Sequence, residues 1–459
     1  MKVSVKQVHR HKVSLPAIKF QDQTLTSFGG LVVYLALFQK LRLAHRLAQC
    51  FRHLACSTVY KFPNIILVLI VHLLLGFRQL RDTTYYKDDP MVLRTVGFKT
   101  MPSVPTLSRI LCKMDAESYN QLRLLSKQLV LERLADLMPM RLTVDFDGSV
   151  LWTKSRNTEG TAVGYNVKKK GARSYYPLFA TVAQTGQVYD SHHRPGNVHD
   201  SNGADDFVKQ TFGDLHAQFP QAILEARLDS AHFNDATCSW LDDHTIEFSI
   251  SVPFERFPEL KRLIENRRRW RSINATWSFF ECDWKPKKWK DTMRFVFYRQ
   301  KVLKQRKGPL QLDLFIPQET DFEFKVVVTN KSLNAKKLLA FHNGRGSQEG
   351  IFGELKSQMQ MDYIPTRRLL GNQIYTLSAV MAHNLTRELQ MIAYPMNRGT
   401  SEKRSPKWIF QEIRTLRHRI LQRAGRLTKP QGFLTLIMSA NDVVKKQIRH
   451  LLAALGYRI

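Results

Sequence analysis

Cysteine is scarce. Five residues in 459, Cys50, Cys56, Cys112, Cys238 and Cys282, stand at scattered positions with no CxxC pair. That excludes a disulfide frame or a cysteine-built structural zinc and sets the expectation of a reducing, cytoplasmic setting. No apolar run is long enough to span a bilayer: the best, Ile65 to Phe77, falls short of the ~18 residues needed and is broken by His72 and Gly76, so it reads as a buried helix. The start, MKVSVKQVHRHKVS, has no apolar signal-peptide core, which argues against secretion. Internal repeats and low-complexity tracts are lacking too. Acidic residues are the last deficit: 39 Asp+Glu face 70 Lys+Arg, so the formal charge is 70 − 39 = +31. With 43% hydrophobic residues the chain can bury large cores, which excludes a disordered basic tail and suggests two to four domains. A compact body of this charge calls for a polyanionic partner: nucleic acid first, an acidic membrane surface second.

Residues from about 24 to 135 carry helical periodicity in long apolar runs such as PNIILVLIVHLLLGFRQL. In MPSVPTLSRIL, Ser103 before Pro105 marks a helix start, with Arg109 on an exposed face. Two readings stand side by side here: the second helix of a helix-turn-helix, or a packing helix without base contacts. From about 140 the period changes to two. Leu142, Val144 and Phe146 alternate with Thr143, Asp145 and Asp147, a strand with both carboxylates on one face. A hairpin around Thr185-Gly186-Gln187, helix caps at Asp200 to Asn202, a strand ending RLDS, a helix near WLDDH and a strand EFSISVPF follow. That order predicts an α/β fold, a mixed sheet with helices packed on it. A β-rich insertion is expected over about 246–325, then a helix from about 333 to 360, and a basic helical tail beyond 396. The expected regions are thus 1–135, 136–395 and 396–459.

Three acids lie at element ends: Asp147 in DFDGS, Asp229 closing ILEARLDS, and Glu349 in HNGRGSQE. Each has a plain explanation as turn residue, helix cap or surface charge. Together, two strand-borne carboxylates and one helix-borne carboxylate are the hard oxygen ligands that a pair of Mg²⁺ ions needs. On a period of 3.6 residues His342, Arg345, Glu349 and Lys356 form one stripe. The same segment places Gly344, Gly346, Gly350 and Gly353 in or beside a helix, each costing up to ~1 kcal/mol relative to Ala, which points to close approach of another backbone or a nucleic-acid strand. The HHRPGNVHD run, with His192, His193, His199 and Asp200, reads as a loop and helix cap rather than a zinc site.

This stripe resembles the signature of the hairpin-forming branch of DDE insertion-sequence transposases: Tyr, two residues, Arg, three residues, Glu, six residues, Lys. Arg345, Glu349 and Lys356 match, and His342 stands where that branch has Tyr. The run GYNVKKKGARSYYPLFATVAQTGQVYDSHHRPGNVHDSNGA resembles the corresponding stretch of bacterial transposases of DDE domain group 1, and RLDSAHF resembles their second-Asp motif. The resemblance covers about residues 140–395.

The resemblance implies a ribonuclease-H-like fold with a β-rich insertion, and an enzyme that excises and reinserts a mobile element. Asp147, Asp229 and Glu349 would bind two Mg²⁺ or Mn²⁺ ions, with Asp145 the alternative first Asp. Arg345 and Lys356 would hold phosphates of the transposon end, with His342 beside them. The implied partners are double-stranded DNA, as inverted-repeat ends and target, and a second protomer, in a bacterial cytoplasm at the nucleoid, with no membrane. Further DNA contacts are expected from Lys168, Lys169, Lys170 and Arg173, and from Trp270 stacking on an unpaired base beside Arg267-Arg268-Arg269. Two alternatives keep the fold and charge: a catalytically inactive, transposase-derived DNA-binding protein, and a structure-specific nuclease.

Overall fold

The computed structural model describes residues 18, 23–54, 59–164, 166, 169–198, 203–302 and 322–458. Lys168, His199 and the caps expected at Asp200 to Asn202 lie outside the described residues. After a two-residue strand, β1 (Leu25–Thr26), the first region is helical as its periodicity predicts: α1 (Leu31–Lys40), α2 (Leu43–Cys50), α3 (Phe62–Leu75), α4 (Pro90–Val96), α5 (Val104–Lys113) and α6 (Ala116–Leu137). Pro63 opens α3 in its first turn, where a missing N–H costs nothing, and Gly76 closes it at φ 87°. Twelve α3 side chains are buried, packed in one core with α12 (Leu369–Ala393), which explains a helix apolar on every side. No described helix is long and apolar enough to cross a membrane. Ser103 caps α5 by accepting from Thr106 N, and Leu107 and Leu111 of α5 join the same core, while Arg109 is exposed.

The centre is a sheet of nine described strands in the order β10-β11-β12-β13-β9-β8-β2-β6-β7. Its first five strands in chain order are β2 (Arg141–Gly148), β6 (Leu178–Val182), β7 (Gln187–His192), β8 (Ile223–Leu228) and β9 (Glu247–Val252). Here β6 and β7 run antiparallel to β2 and each other, while β8 and β9 run parallel to β2. That spatial order, third-second-first-fourth-fifth, is the ribonuclease-H-like arrangement, and α7 (Ala204–Gln218) and α8 (Asp235–Asp243) supply the crossovers to β8 and β9. The β-rich insertion extends this same sheet. After α9 (Pro258–Glu265), the strands β10 (Arg271–Ser272), β11 (Trp277–Trp284), β12 (Met293–Lys301) and β13 (Phe322–Thr329) form an antiparallel meander, and β13 pairs with β9. The expected boundary near 246 therefore shifts, because Glu247–Val252 belongs to the central five. A small second sheet, β3 (Leu151–Thr153), β4 (Ala162–Val163) and β5 (Arg173–Tyr175), projects from the end of β2.

The two faces of the sheet differ in chemistry. Leu142, Val144, Phe146, Ala226, Leu228, Phe248 and Ile250 face an apolar core shared with Phe207, Phe212 and Leu241. The opposite face carries Thr143, Asp145, Glu225, Arg227, Glu247 and Ser249, and most of them are also buried. Burial is tolerated because each polar group finds partners. Arg227, 0% exposed, donates to both carboxylate oxygens of Asp145 at 2.5 and 2.8 Å, and its Nη1 reaches the carbonyls of Phe341 and Lys403. Glu225 accepts from Thr143, Arg141, Lys331 and Arg404, and the bonds from Arg404, Lys331 and Thr143 with the Lys331 charge hold its carboxyl well below the usual range despite burial. Covering this face are α10 (Ala335–Asn343), a 3-10 turn (Gly344–Gly346), α11 (Ser347–Ser357) and the irregular chain around Lys403 and Arg404.

The C-terminal region departs from the helical tail expected beyond 396. It contains a short α13 (Ile413–Leu416), a hairpin of β14 (Gly425–Thr428) and β15 (Thr435–Met438), and α14 (Asp442–Ala454). The reason is remote pairing: β14 lies antiparallel to β1, about 400 residues earlier, as well as to β15. Arg417 is buried, donating to carbonyls of Leu73, Leu74 and Gln358, so it belongs to the packing rather than to a basic surface.

Removing one member of the Asp145–Arg227 pair strands the other charge in the interior. Asp145→Ala or Arg227→Ala is expected to cost ~3–5 kcal/mol in a denaturant titration. A loss below ~1 kcal/mol would be the signature of an exposed pair and would contradict this burial.

Candidate active site

Parallel pairing of β2 with β8 sets Asp145 opposite Arg227. Two residues further along the chain come Asp147, still in β2, and Asp229, just past the end of β8, so the pairing carries both carboxylates to one end of adjacent strands. The pleat puts them on the polar face, one step beyond the point where that face is sealed. Asp145 is 1% exposed and fully engaged, whereas the Asp147 side chain is 21% exposed. Asp145 is thus spent on Arg227 and closed to a solvent cation; the alternative first-Asp assignment is corrected on that ground. Burial raises Asp147 to about 6, with Arg345 opposing and the nearby negative charge of Asp229 adding to the rise. Asp229 also caps the 3-10 turn Ser230–His232 by accepting from Ala231 N at 3.0 Å.

The third element is held over the strand ends by specific contacts. Gln348 donates from Nε2 to the carbonyl of Asp145 at 3.2 Å and to Thr181 Oγ1 at 3.0 Å. Ile351, Phe352 and Leu355 are buried, and Glu354 binds His383 and Arg387 of α12. Arg345 Nη1 donates to Asp147 Oδ2 at 3.0 Å. Glu349, exposed, follows four residues later in the first turn of α11. Lys356 is half-buried near the other end of α11.

His342 is not at this surface. The expected DNA contact is corrected: the ring is 2% exposed, wedged between Ser251 Oγ (2.9 Å from Nε2) and Ser249 Oγ (3.0 Å from Nδ1). Burial and the charges of Lys325, Arg345 and Arg227 push its pKa well below the ordinary value, so it holds α10 to β9 as a neutral group. Of the four glycines, Gly344 is explained by close approach: a Cβ there would lie 1.9 Å from Arg227 Nη1 and 2.1 Å from the carbonyl of Lys403. Gly346, Gly350 and Gly353 have nothing within 4 Å, so no protein backbone accounts for them.

The remaining expected contacts divide. Lys169 and Lys170 are exposed before β5, Lys169 with Nζ 3.3 Å above the Trp152 ring. Arg173 is half-buried and donates to Thr161 Oγ1 at 3.0 Å. Trp270 is corrected as a free stacking platform: it packs edge-on to Phe280 at 4.7 Å, lies under the Arg299 guanidinium, also at 4.7 Å, and donates to the carbonyl of Arg267. One cation was missed. Lys325 on β13 donates to Asn343 Oδ1 at 2.8 Å, and burial followed by Arg345 lowers its pKa. Its signal was a lone lysine in the apolar strand FEFKVVVT.

Carboxylate oxygens at Asp147 and Asp229 suit a hard divalent ion, and their mutual repulsion is what such an ion relieves. Among the described residues no group of three or more His, Cys, Asp and Glu side chains is gathered closely enough to form a metal cluster. The fit therefore rests on the two aspartates; Glu349 lies exposed in the first turn of α11 and is not gathered with them.

A carboxyl whose folded value lies above its unfolded value of 3.8 destabilises the fold above about pH 6, and the penalty fades as pH falls from about 6 toward 4. Asp147→Asn should therefore raise the melting temperature of the metal-free protein at pH 7.5, with the gain shrinking toward pH 4. Thermal melts in EDTA across that range check it. No gain at pH 7.5 would show that the charge is not costly.

The model of the family described as Transposase DDE domain group 1 matches residues 5–457. No curated protein sequence matches the chain significantly. A solved structure, the piggyBac transposase synaptic complex with hairpin DNA, aligns with a TM-score of 0.43 and 12% identity over 85% of this chain and 80% of that one. The family match spans nearly the whole chain, and the protein therefore belongs to the Transposase DDE domain group 1 family, enzymes that cleave and join DNA at a mobile element.

Proposed function

We propose that this transposase binds the inverted-repeat ends of its element, cleaves them with two divalent ions, Mg²⁺ or Mn²⁺, and joins the freed ends to target DNA. The observation that carries this reading is the placement of Asp147 and Asp229, each two residues beyond the paired Asp145 and Arg227 of parallel neighbouring strands, with Arg345 of the overlying helical segment on Asp147. Asp147 and Asp229 would hold the ions, with Glu349 as the third ligand. Bound there, the ions would supply Lewis acidity to an attacking water or 3′ hydroxyl and to the leaving oxygen. Arg345 uses one nitrogen on Asp147, which leaves the rest of its guanidinium for a phosphate oxygen beside the reacting bond. Lys325, Lys356 and the exposed Lys169 and Lys170 would hold the flanking backbone. The open side of Gly346, Gly350 and Gly353 would let a DNA strand pass close to α11. Two protomers would pair two ends, in a bacterial cytoplasm at the nucleoid.

The test is incubation of the purified protein with a labelled inverted-repeat end and Mg²⁺, comparing wild type with Asp229→Ala and Glu349→Ala. Cleavage and joining should need the metal and fall by at least 100-fold in both variants. Full activity in either would remove that residue from the metal site. End binding without cleavage in wild type would favour an inactive DNA-binding protein, and cleavage without joining a structure-specific nuclease.

A further inference from the structure

The small sheet that projects from β2 carries a second basic site away from the carboxylates. An open cleft of about 430 Å³ lies between the loop Arg156 to Gly160 and the start of α12, with Arg156, Arg173, Arg367 and Arg368 in its lining. Glu159 is its one acidic lining residue, so the formal balance is 4 − 1 = +3. Arg156, Arg367 and Arg368 are exposed, and Arg156 and Arg367 have no ion-pair partner among the described residues. Arg368 approaches Glu159 only at 3.9 Å, with both side chains mostly exposed.

The walls are braced. Glu159 N donates to the carbonyl of Arg367 at 2.9 Å, and Glu159 Oε2 accepts from Leu369 N at 3.2 Å. Tyr175 OH donates to the carbonyl of Glu159, and Asn372 of α12 donates to that same hydroxyl at 3.1 Å. Gly160, at φ +71°, adopts a conformation few side chains tolerate, and a Cβ there would press on Leu369 at 3.0 Å. Two chain segments remote in sequence are thus locked together so that their arginines line one opening. Keeping like charges together costs energy unless an anion joins them.

Arg156 is nine residues from Asp147 (156 − 147 = 9), so at ~3.6 Å per residue the two backbones lie at most ~32 Å apart. One turn of duplex DNA covers ~34 Å. A duplex engaged at Asp147 is long enough to reach the cleft. The cleft is open to solvent rather than enclosed, and guanidinium forks match phosphate oxygens.

We infer that this arginine cleft clamps the phosphate backbone of duplex DNA, independently of base sequence, within one turn of the cleavage site. This rests on the transposase reading above. The probe is a fluorescein-labelled 30-base-pair duplex of arbitrary sequence, titrated with the full chain at several salt concentrations. In the triple variant Arg156→Gln, Arg367→Gln, Arg368→Gln, affinity should fall at least 10-fold, and the slope of log affinity against log salt should drop by about 2–3, at ~0.9 per lost phosphate contact. The corresponding triple Lys variant should keep the slope, and all three proteins should melt at the same temperature, because the altered side chains are exposed. Wild-type binding with an unchanged slope in the Gln variant overturns the clamp and leaves the transposase reading intact. A Lys variant that loses the slope equally overturns the phosphate account. A wild type that binds no duplex at all would instead refute the transposase reading itself.

Discussion

A guanidinium with no solvent exposure, clamped on a carboxylate with almost none, organises this protein. Arg227 and Asp145 lie opposite each other on parallel strands, and Arg227 continues to carbonyls of α10 and of the chain at Lys403. One side chain thereby ties together the sheet, the helical layer and the C-terminal segment that covers them. Taking two charges out of water is costly, and only good geometry with every proton placed makes it bearable. Gly344 is part of that geometry, since any larger residue would collide with the guanidinium. The arrangement gives the site its position: two residues beyond the sealed pair, Asp147 near the end of β2 and Asp229 just past β8 are aspartates partly open to solvent.

Much of this was legible in the sequence. The period of two found β2, the RLDS run found the end of β8, and apolar periodicity found α3 and its neighbours. Asp145 stayed an alternative to Asp147 because the two share a face, and alternation carries no information about where along a strand that face becomes covered. His342 fell on one stripe with Arg345, Glu349 and Lys356, yet the 3-10 turn at Gly344–Gly346 alters the winding between them. The stripe's first member turns down onto Ser249 and Ser251 while Glu349 faces out. Remote pairing hid the rest. The four-residue strands of the C-terminal hairpin have no local signal strong enough to outweigh the basic helical pattern around them, and β14 is completed by β1 from the other end of the chain. Likewise, Trp270 among arginines resembled a stacking residue because sequence does not reveal that Phe280 and Arg299 already occupy it.

The excess charge divides in an informative way. Inside, Arg141, Arg227, Lys331 and Arg404 meet Asp145, Glu225 and Glu247, four cations against three anions. That network is close to neutral, so it consumes little of the +31. The surplus is left for the surface, where a polyanion can neutralise it. A carboxylate pair that repels itself sits within this cationic surrounding, and Asp147 shows the conflict in its raised pKa. Function and stability pull in opposite directions there, as expected where charge must stay available for chemistry.

The central claim is that Asp147, Asp229 and Glu349 share divalent ions while Asp145 does not. Iron-directed cleavage of the polypeptide reads this directly: Fe²⁺ replaces Mg²⁺, and peroxide and ascorbate then cut the backbone beside the bound ion. The expected cuts fall close to residues 147, 229 and 349, disappear with excess Mg²⁺, and are lost in Asp147→Ala. Cuts that persist in Asp147→Ala, or that map to none of these three positions, would contradict it.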